Sequence, residues 1–181
     1  MAEISVSKSK VERFEETILP HLNAAFNLAR WLTRNEHDAE DVVQESYLRA
    51  LKSFGTFQYG RDARAWLLKV VRNTCYTWLR KNRPYEIAEH FEGADPDGPV
   101  ARSNPETLLV AKMTSQLVQK ALEHLPVDQR ELLILRELEG FSYKEIAEII
   151  DVPLGTVMSR LSRARKELHD RLSEGAQEVT P

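Results

Sequence analysis

The chain has 181 residues, of which 42% are hydrophobic, carries a formal net charge of −3 and contains one cysteine, Cys75. That length suits one medium domain or two small ones, and the apolar share excludes a wholly disordered chain. A lone cysteine excludes an internal disulfide or a cysteine-rich zinc site, and the scattered His21, His37, His90, His124 and His169 share no ligand spacing, so neither a metal nor a cofactor is expected.

Residues 11–32 place Phe14, Ile18, Leu22, Ala25, Phe26, Ala29 and Leu32 at three- and four-residue steps, which predicts one amphipathic helix. A second helix is expected from about Asp38, whose carboxylate can cap free N–H groups. Its inner side is Ala39, Val42, Val43, Ser46, Ala50 and Phe54. Residues 35–45 hold five acids. With Val42 and Val43 inward, Asp38, Asp41, Gln44 and Glu45 face water. That face suits a basic partner protein, although the helix dipole alone also favours acids at a helix start.

Gly55 and Gly60 bracket an aromatic loop containing Phe54, Phe57 and Tyr59. A third helix is predicted from about Asp62 to Lys81, with Leu67, Val70, Val71, Thr74 and Trp78 inward. Residues 61–83 hold seven bases against one acid. Phe54, Phe57, Tyr59, Trp66 and Tyr76 lie among Arg61, Arg64, Lys69, Arg72 and Arg80. Rings interleaved with cations suit single-stranded DNA, since each stacked base contributes ~1–3 kcal/mol and the cations follow the backbone. The same periodicity lets Trp66 and Trp78 serve the core instead, and Phe54 leans that way.

Residues 84–105 carry four prolines, two glycines and most of an acidic run of six between 86 and 106. Periodicity is lost from Gly93 to Ser103, which marks a linker. Asn104 as cap and Pro105 at the first helical position restart order, with Leu108, Leu109, Leu117, Val118, Ala121 and Leu122 in the next helix. Pro126 opens a second helix containing Leu132, Leu133, Leu135 and Leu138. Ser142, with Glu145 three residues on, forms a capping box for a third, whose inner face is Ile146, Ala147 and Ile150. A break at Asp151-Val152-Pro153 precedes a long fourth helix to about Leu172.

The last two helices read as a helix-turn-helix. Counted from Val157 at 100° per residue, Leu161, Ala164 and Leu168 fall within ~40° and pack inward. The opposite face presents Gly155, Ser159, Ser162, Arg163 and Lys166, flanked by Arg160 and Arg165, with Thr156 at the helix start. Arginine can read guanine through two hydrogen bonds and hydroxyls can bond bases or phosphate, so this helix suits a major groove.

These elements, in this order, resemble the sigma factors of bacterial RNA polymerase, specifically the extracytoplasmic-function (ECF) group of the sigma-70 superfamily, which have regions 2 and 4 only. The most specific stretches are Asp38-Ala-Glu-Asp-Val-Val-Gln-Glu-Ser-Tyr-Leu-Arg-Ala-Leu51, Ala65-Trp-Leu-Leu-Lys-Val-Val-Arg-Asn-Thr74, and Leu125-Pro-Val-Asp-Gln-Arg130 with the helix-turn-helix after it. The resemblance covers residues 14–172. It implies that the 38–51 helix docks on the clamp helices of the polymerase's largest subunit through Asp38, Asp41, Gln44 and Glu45. It implies that the 54–61 loop captures a flipped base of the melted −10 element, with Arg72 and Asn73 near that base. The last helix would read the −35 element, with Ser159, Ser162 and Arg163 at contact positions. Met158 stands where many members have arginine, and Asp151 where glycine is common.

The expected architecture is all-α. A region 2-like domain (1–84) and a four-helix, region 4-like domain (106–174) are joined by an acidic, proline-containing linker (85–105) and followed by a tail (175–181). The 21 linker residues reach at most ~70 Å, the spacing of two sites two DNA turns apart, so the linker must run extended on a promoter. The implied partners are the polymerase core (clamp helices and flap), promoter DNA and an anti-sigma protein, often membrane-bound in this family, with no small-molecule substrate. No catalytic constellation is present. No stretch approaches the roughly 20 apolar residues of a membrane span, and residues 1–10 lack a secretion signal, so a cytoplasmic protein is expected. Two rival readings remain at this point: a stand-alone helix-turn-helix repressor or activator, and a mimic that sequesters an anti-sigma protein.

Overall fold

A computed structural model describes residues 9–58, 60–88 and 115–177, and the regular elements among them are helical. The first, α1 (Lys10–Ile18), opens on a capping box: the Glu12 N–H donates to the Ser9 hydroxyl at 3.2 Å and the Ser9 N–H to the Glu12 carboxylate at 2.8 Å. Helix α2 (Leu22–Thr33) comes after a 3₁₀ turn, Leu19–His21. The single helix expected over 11–32 is therefore two. Pro20 has no N–H to continue an α-helical ladder, and the tighter turn around it changes the phase of α2 relative to α1. Leu22, expected inward, is consequently exposed, while Leu28 is buried.

Asn35, not Asp38, caps α3 (Glu36–Ser53), its side chain accepting from the Asp38 N–H at 3.0 Å. A 3₁₀ turn (Phe54–Thr56) leads to α4 (Ala63–Asn82), capped by Asp62, which accepts from the N–H groups of Arg64 at 2.8 Å and Ala65 at 3.2 Å. Helices α2, α3 and α4 pack on one another. Their shared core contains Ala25, Leu28, Leu32, Ala39, Val42, Leu67, Leu68, Val71, Cys75 and Leu79. The Cys75 thiol is fully enclosed, and burial pushes its pKa up.

A short helix, α5 (Pro84–Ala88), occupies the start of the expected linker. Its Glu86 is buried and pairs with Arg34 at 2.6 Å. The rest of that linker, the helix start at Asn104 and Pro105, and Leu108 and Leu109 lie outside the described residues.

The C-terminal unit comprises α6 (Ser115–Glu123), α7 (Val127–Leu133) with a π turn (Ile134–Leu138), α8 (Tyr143–Ile150) and α9 (Leu154–Gln177). The π turn alters the phase of the second helix of this unit, and Leu138, expected inward, ends up exposed. The capping box at Ser142 forms as expected. The Glu145 N–H reaches the Ser142 hydroxyl at 3.3 Å, and the Ser142 N–H reaches the Glu145 carboxylate at 2.7 Å. These bonds from Ser142 hold the Glu145 carboxyl below its usual range. The two units touch. Helix α2 packs against α7 and its π turn, and α4 packs against α8.

Candidate nucleic-acid and partner interfaces

The helix-turn-helix is built as the periodicity implies. Asp151 terminates α8 in the left-handed conformation, at φ 61°. That turn lets Val157, Leu161 and Ala164 of α9 reach full burial, with Leu168 packed against them. Arg163 and Lys166 are exposed or half-exposed on the outer side, and Thr156, Ser159, Arg160 and Ser162 are half-buried. The Ser159 hydroxyl donates to the Thr156 carbonyl at 3.1 Å, which fixes its orientation. Arg165 behaves differently. Its guanidinium bonds the Glu137 carboxylate at 2.8 Å and the Tyr143 hydroxyl at 3.1 Å, tying α9 to the π turn and α8. Its first task is to brace the motif. Met158 and Leu154 add an exposed apolar strip to the start of α9.

The expected −10 residues divide into three groups. Phe54 and Phe57 are in the core. Their rings stack at 5.7 Å, and Phe54 also meets Phe14 edge-on at 5.3 Å, while Phe57 meets Trp66 at 5.4 Å. Neither ring is open to an unpaired base, which corrects the expectation for both. Five rings close together satisfy one another better than a solvated loop could, and Tyr47 completes the set from 6.1 Å beyond Phe14. Tyr59 lies outside the described residues.

The second group is Arg61, Asn73 and Arg80, all exposed. The third is Arg64, Lys69, Arg72 and Tyr76, which line the face of α4 turned toward the C-terminal unit. Arg64 bonds the Glu139 carboxylate and, at 2.8 Å, its carbonyl, and lies 4.7 Å over the Phe141 ring. The Lys69 ammonium donates to the Glu148 carbonyl at 3.0 Å. Arg72 Nε donates to Glu131 at 2.6 Å and the Tyr76 hydroxyl to the same carboxylate at 3.0 Å. Burial raises the Glu131 pKa while the Arg72 charge and these two bonds hold it back. Burial, followed by the Glu131 charge, raises Tyr76 well above its usual value.

On α3, Asp41, Gln44 and Glu45 are exposed as expected. Asp38 is not part of that open face, because its carboxylate pairs with Arg83 at 2.9 Å and so locks α3 to the end of α4. The sequence did not suggest that an apolar cleft would adjoin the acids. Leu22, Asn23, Phe26, Glu40, Val43 and Gln44 line it, with exposed Leu19 and Leu48 nearby in the chain. An apolar floor with an acidic rim fits an amphipathic, basic helix of a partner. Among the described residues no cluster of His, Cys, Asp and Glu could hold a metal ion.

Comparison with known proteins agrees with this geometry. The description of sigma-70 region 2 matches residues 17–85, and that of sigma-70 region 4 matches residues 115–168. The ECF RNA polymerase sigma-E factor of Salmonella typhimurium is 37% identical over 143 residues, covering 75% of this chain and 74% of its own. The ECF RNA polymerase sigma factor SigE of Mycolicibacterium smegmatis is 32% identical over 169 residues, 92% of this chain, and the chain spans 64% of that relative's length. Among solved structures, the sigma factor RpoE of Bartonella quintana, in complex with the anti-sigma factor NepR, superposes with a TM-score of 0.68 at 33% identity, covering 90% of this chain and 98% of that one. CnrH, solved with the cytosolic domain of CnrY, shares the fold at a TM-score of 0.63 and 22% identity. With two region matches in the family's order and relatives of this similarity, the chain belongs to the ECF group of the sigma-70 family.

Proposed function

We propose that this chain directs core RNA polymerase to specific promoters. The observation that carries the reading is α9, whose inner face is consumed by the core while Arg163 and Lys166 lie on the outer side beside the hydroxyls of Ser159 and Ser162. In this reading α9 enters the −35 major groove, with Thr156, Ser159, Arg160, Ser162, Arg163 and Lys166 facing the DNA. Helix α4, with Arg61, Asn73 and Arg80 at its margins, tracks the opened −10 strand. The exposed Asp41, Gln44 and Glu45, with the cleft beside them, dock on the polymerase.

Residues 1–84 and 106–174 act as the two domains and 85–105 as their tether. The polymerase performs the chemistry, so the chain needs no catalytic group. The Bartonella relative's complex with an anti-sigma factor supports control of this chain by a protein of that kind. No helix among the described residues is long and apolar enough to cross a membrane, which fits action in the cytoplasm beside the polymerase.

Run-off transcription with core polymerase and a library of native upstream fragments tests this. Discrete, factor-dependent transcripts are expected. Arg163→Ala should weaken −35 binding by about 1–3 kcal/mol, and Asp41→Ala with Gln44→Ala should weaken polymerase association without changing duplex binding. A library that yields no factor-dependent start site contradicts the reading.

A further inference from the structure

We propose that the start of α9 reads thymine: the Met158 side chain, with Leu154 one turn before it, seats against the C5-methyl group of a thymine in the −35 duplex. This rests on the assignment of α9 to the −35 major groove and adds to it a contact made through apolar surface. Leu154 is 47% exposed and Met158 51%, and among the described residues of α9 they are the exposed large hydrophobics. Both fall in the first five residues of a 24-residue helix, while Val157, Leu161 and Ala164 are turned fully into the core. A single exposed apolar residue is ordinary on any surface. This pair is not scattered. It occupies the end of the helix whose residues contact base edges in a helix-turn-helix.

The rows of the helix place the strip beside the residues assigned to DNA. Leu154, Met158, Ser162 and Lys166 follow one another at four-residue steps along one row, and Gly155, Ser159 and Arg163 form the next. Met158 is therefore continuous with the hydroxyls and cations of the outer face. A phosphate oxygen gains nothing from a thioether or an isobutyl group. Of the groups that base pairs present in the major groove, the thymine C5-methyl is the apolar one. Methionine, unbranched and polarizable, adapts its shape to such a contact. Leu154 and Met158 stand ~6 Å apart along the axis, under two base-pair steps of ~3.4 Å, so the strip covers one thymine and its neighbour. Gly155 fits the same picture. A methyl group there would meet nothing within 4 Å of the chain, and its backbone is not left-handed, so no internal contact calls for glycine. Its bareness lets the helix start come close to the bases.

The test uses the full chain with core polymerase. Promoter duplexes randomised over the −35 region are selected for binding. A selected duplex is then remade with each −35 thymine replaced in turn by deoxyuridine, which removes the C5-methyl and keeps every hydrogen-bonding group. One of these replacements is expected to weaken binding about fourfold, the effect of leaving one methyl group unburied. Met158→Ala and Met158→Gln should weaken binding of the thymine duplex to a similar degree and bind the thymine and deoxyuridine duplexes equally. Met158→Leu, still apolar, should keep the preference. Met158 is exposed, so the thermal unfolding midpoint should not move in any of the three. A selection without thymine at −35, or a deoxyuridine loss of equal size in wild type and Met158→Ala, overturns the proposal and leaves α9 in the groove. Weaker association of Met158→Ala with core polymerase before DNA is added makes the strip a protein contact and also overturns it. If Arg163→Ala changes neither the selected −35 sequence nor the affinity for it, the placement of α9 fails, and the thymine contact with it.

Discussion

Arg130→Ala is expected to be among the most destabilising single substitutions in the C-terminal unit. The residue is 1% exposed, and its guanidinium is held by backbone carbonyls. Nη1 donates to the carbonyls of Glu123 and Leu125, each at 3.0 Å. These lie at the C-terminal end of α6, where helix carbonyls have no intrahelical donor and the helix dipole is negative. The charge is thus solvated by the backbone. Burial, and then the nearby Arg34, pulls its pKa down to about 10, so it remains protonated at neutral pH. Removing the side chain takes the donor from the Leu125 carbonyl and the 3.4 Å contact from the Leu32 carbonyl, leaves the Glu123 carbonyl with Arg34 alone, and opens an unfilled space. At about 1–3 kcal/mol per orphaned group, and with some return from no longer burying a cation, the loss should be about 2–4 kcal/mol. Urea unfolding of Arg130→Ala and Arg130→Met measures it. Met refills the space without donors, so it should recover only the packing share. A Met variant as stable as wild type would show that the carbonyl bonds contribute nothing.

Phe54→Ala should cost about 3–5 kcal/mol, the range for emptying a buried aromatic site. Phe54 is 5% exposed and sits between Phe14, Phe57 and Trp66, joining α1, the 3₁₀ turn after α3 and the start of α4. The loop's shape therefore depends on it. Phe54→Leu separates shape from stacking. A leucine fills most of the space without the ring, so it should cost less than alanine and leave promoter opening unchanged. A folded Phe54→Leu protein that binds duplex but cannot hold an opened strand would instead make the ring itself a base contact.

The helix-turn-helix was legible because it is local. The capping box spans four residues, the left-handed turn residue is an aspartate that tolerates it, and one 100° periodicity assigns Val157, Leu161 and Ala164 to the core. The acidic face of α3 was legible for the same reason, except at Asp38, whose partner Arg83 is 45 residues away. What was not legible is pairing across the chain. A basic face reads identically whether it meets water, DNA or a carboxylate, and nothing near Arg72 points to Glu131, 59 residues on. Phe54 and Phe57 illustrate a second limit. Aromatics beside glycines and arginines match both a base-stacking loop and a core corner, and only the positions of Phe14 and Trp66 decide between them. The break at Pro20 was within reach of the sequence, since the missing N–H alone is enough to interrupt a helix.

Permanganate footprinting of a responsive promoter tests the central claim most directly, because it reports unpaired thymines. With core polymerase and this chain together, reactivity is predicted within the −10 element and is predicted to be absent with either component alone. Strong duplex occupancy by the chain alone, with no polymerase-dependent reactivity at −10, would contradict the account and describe a stand-alone DNA-binding regulator instead.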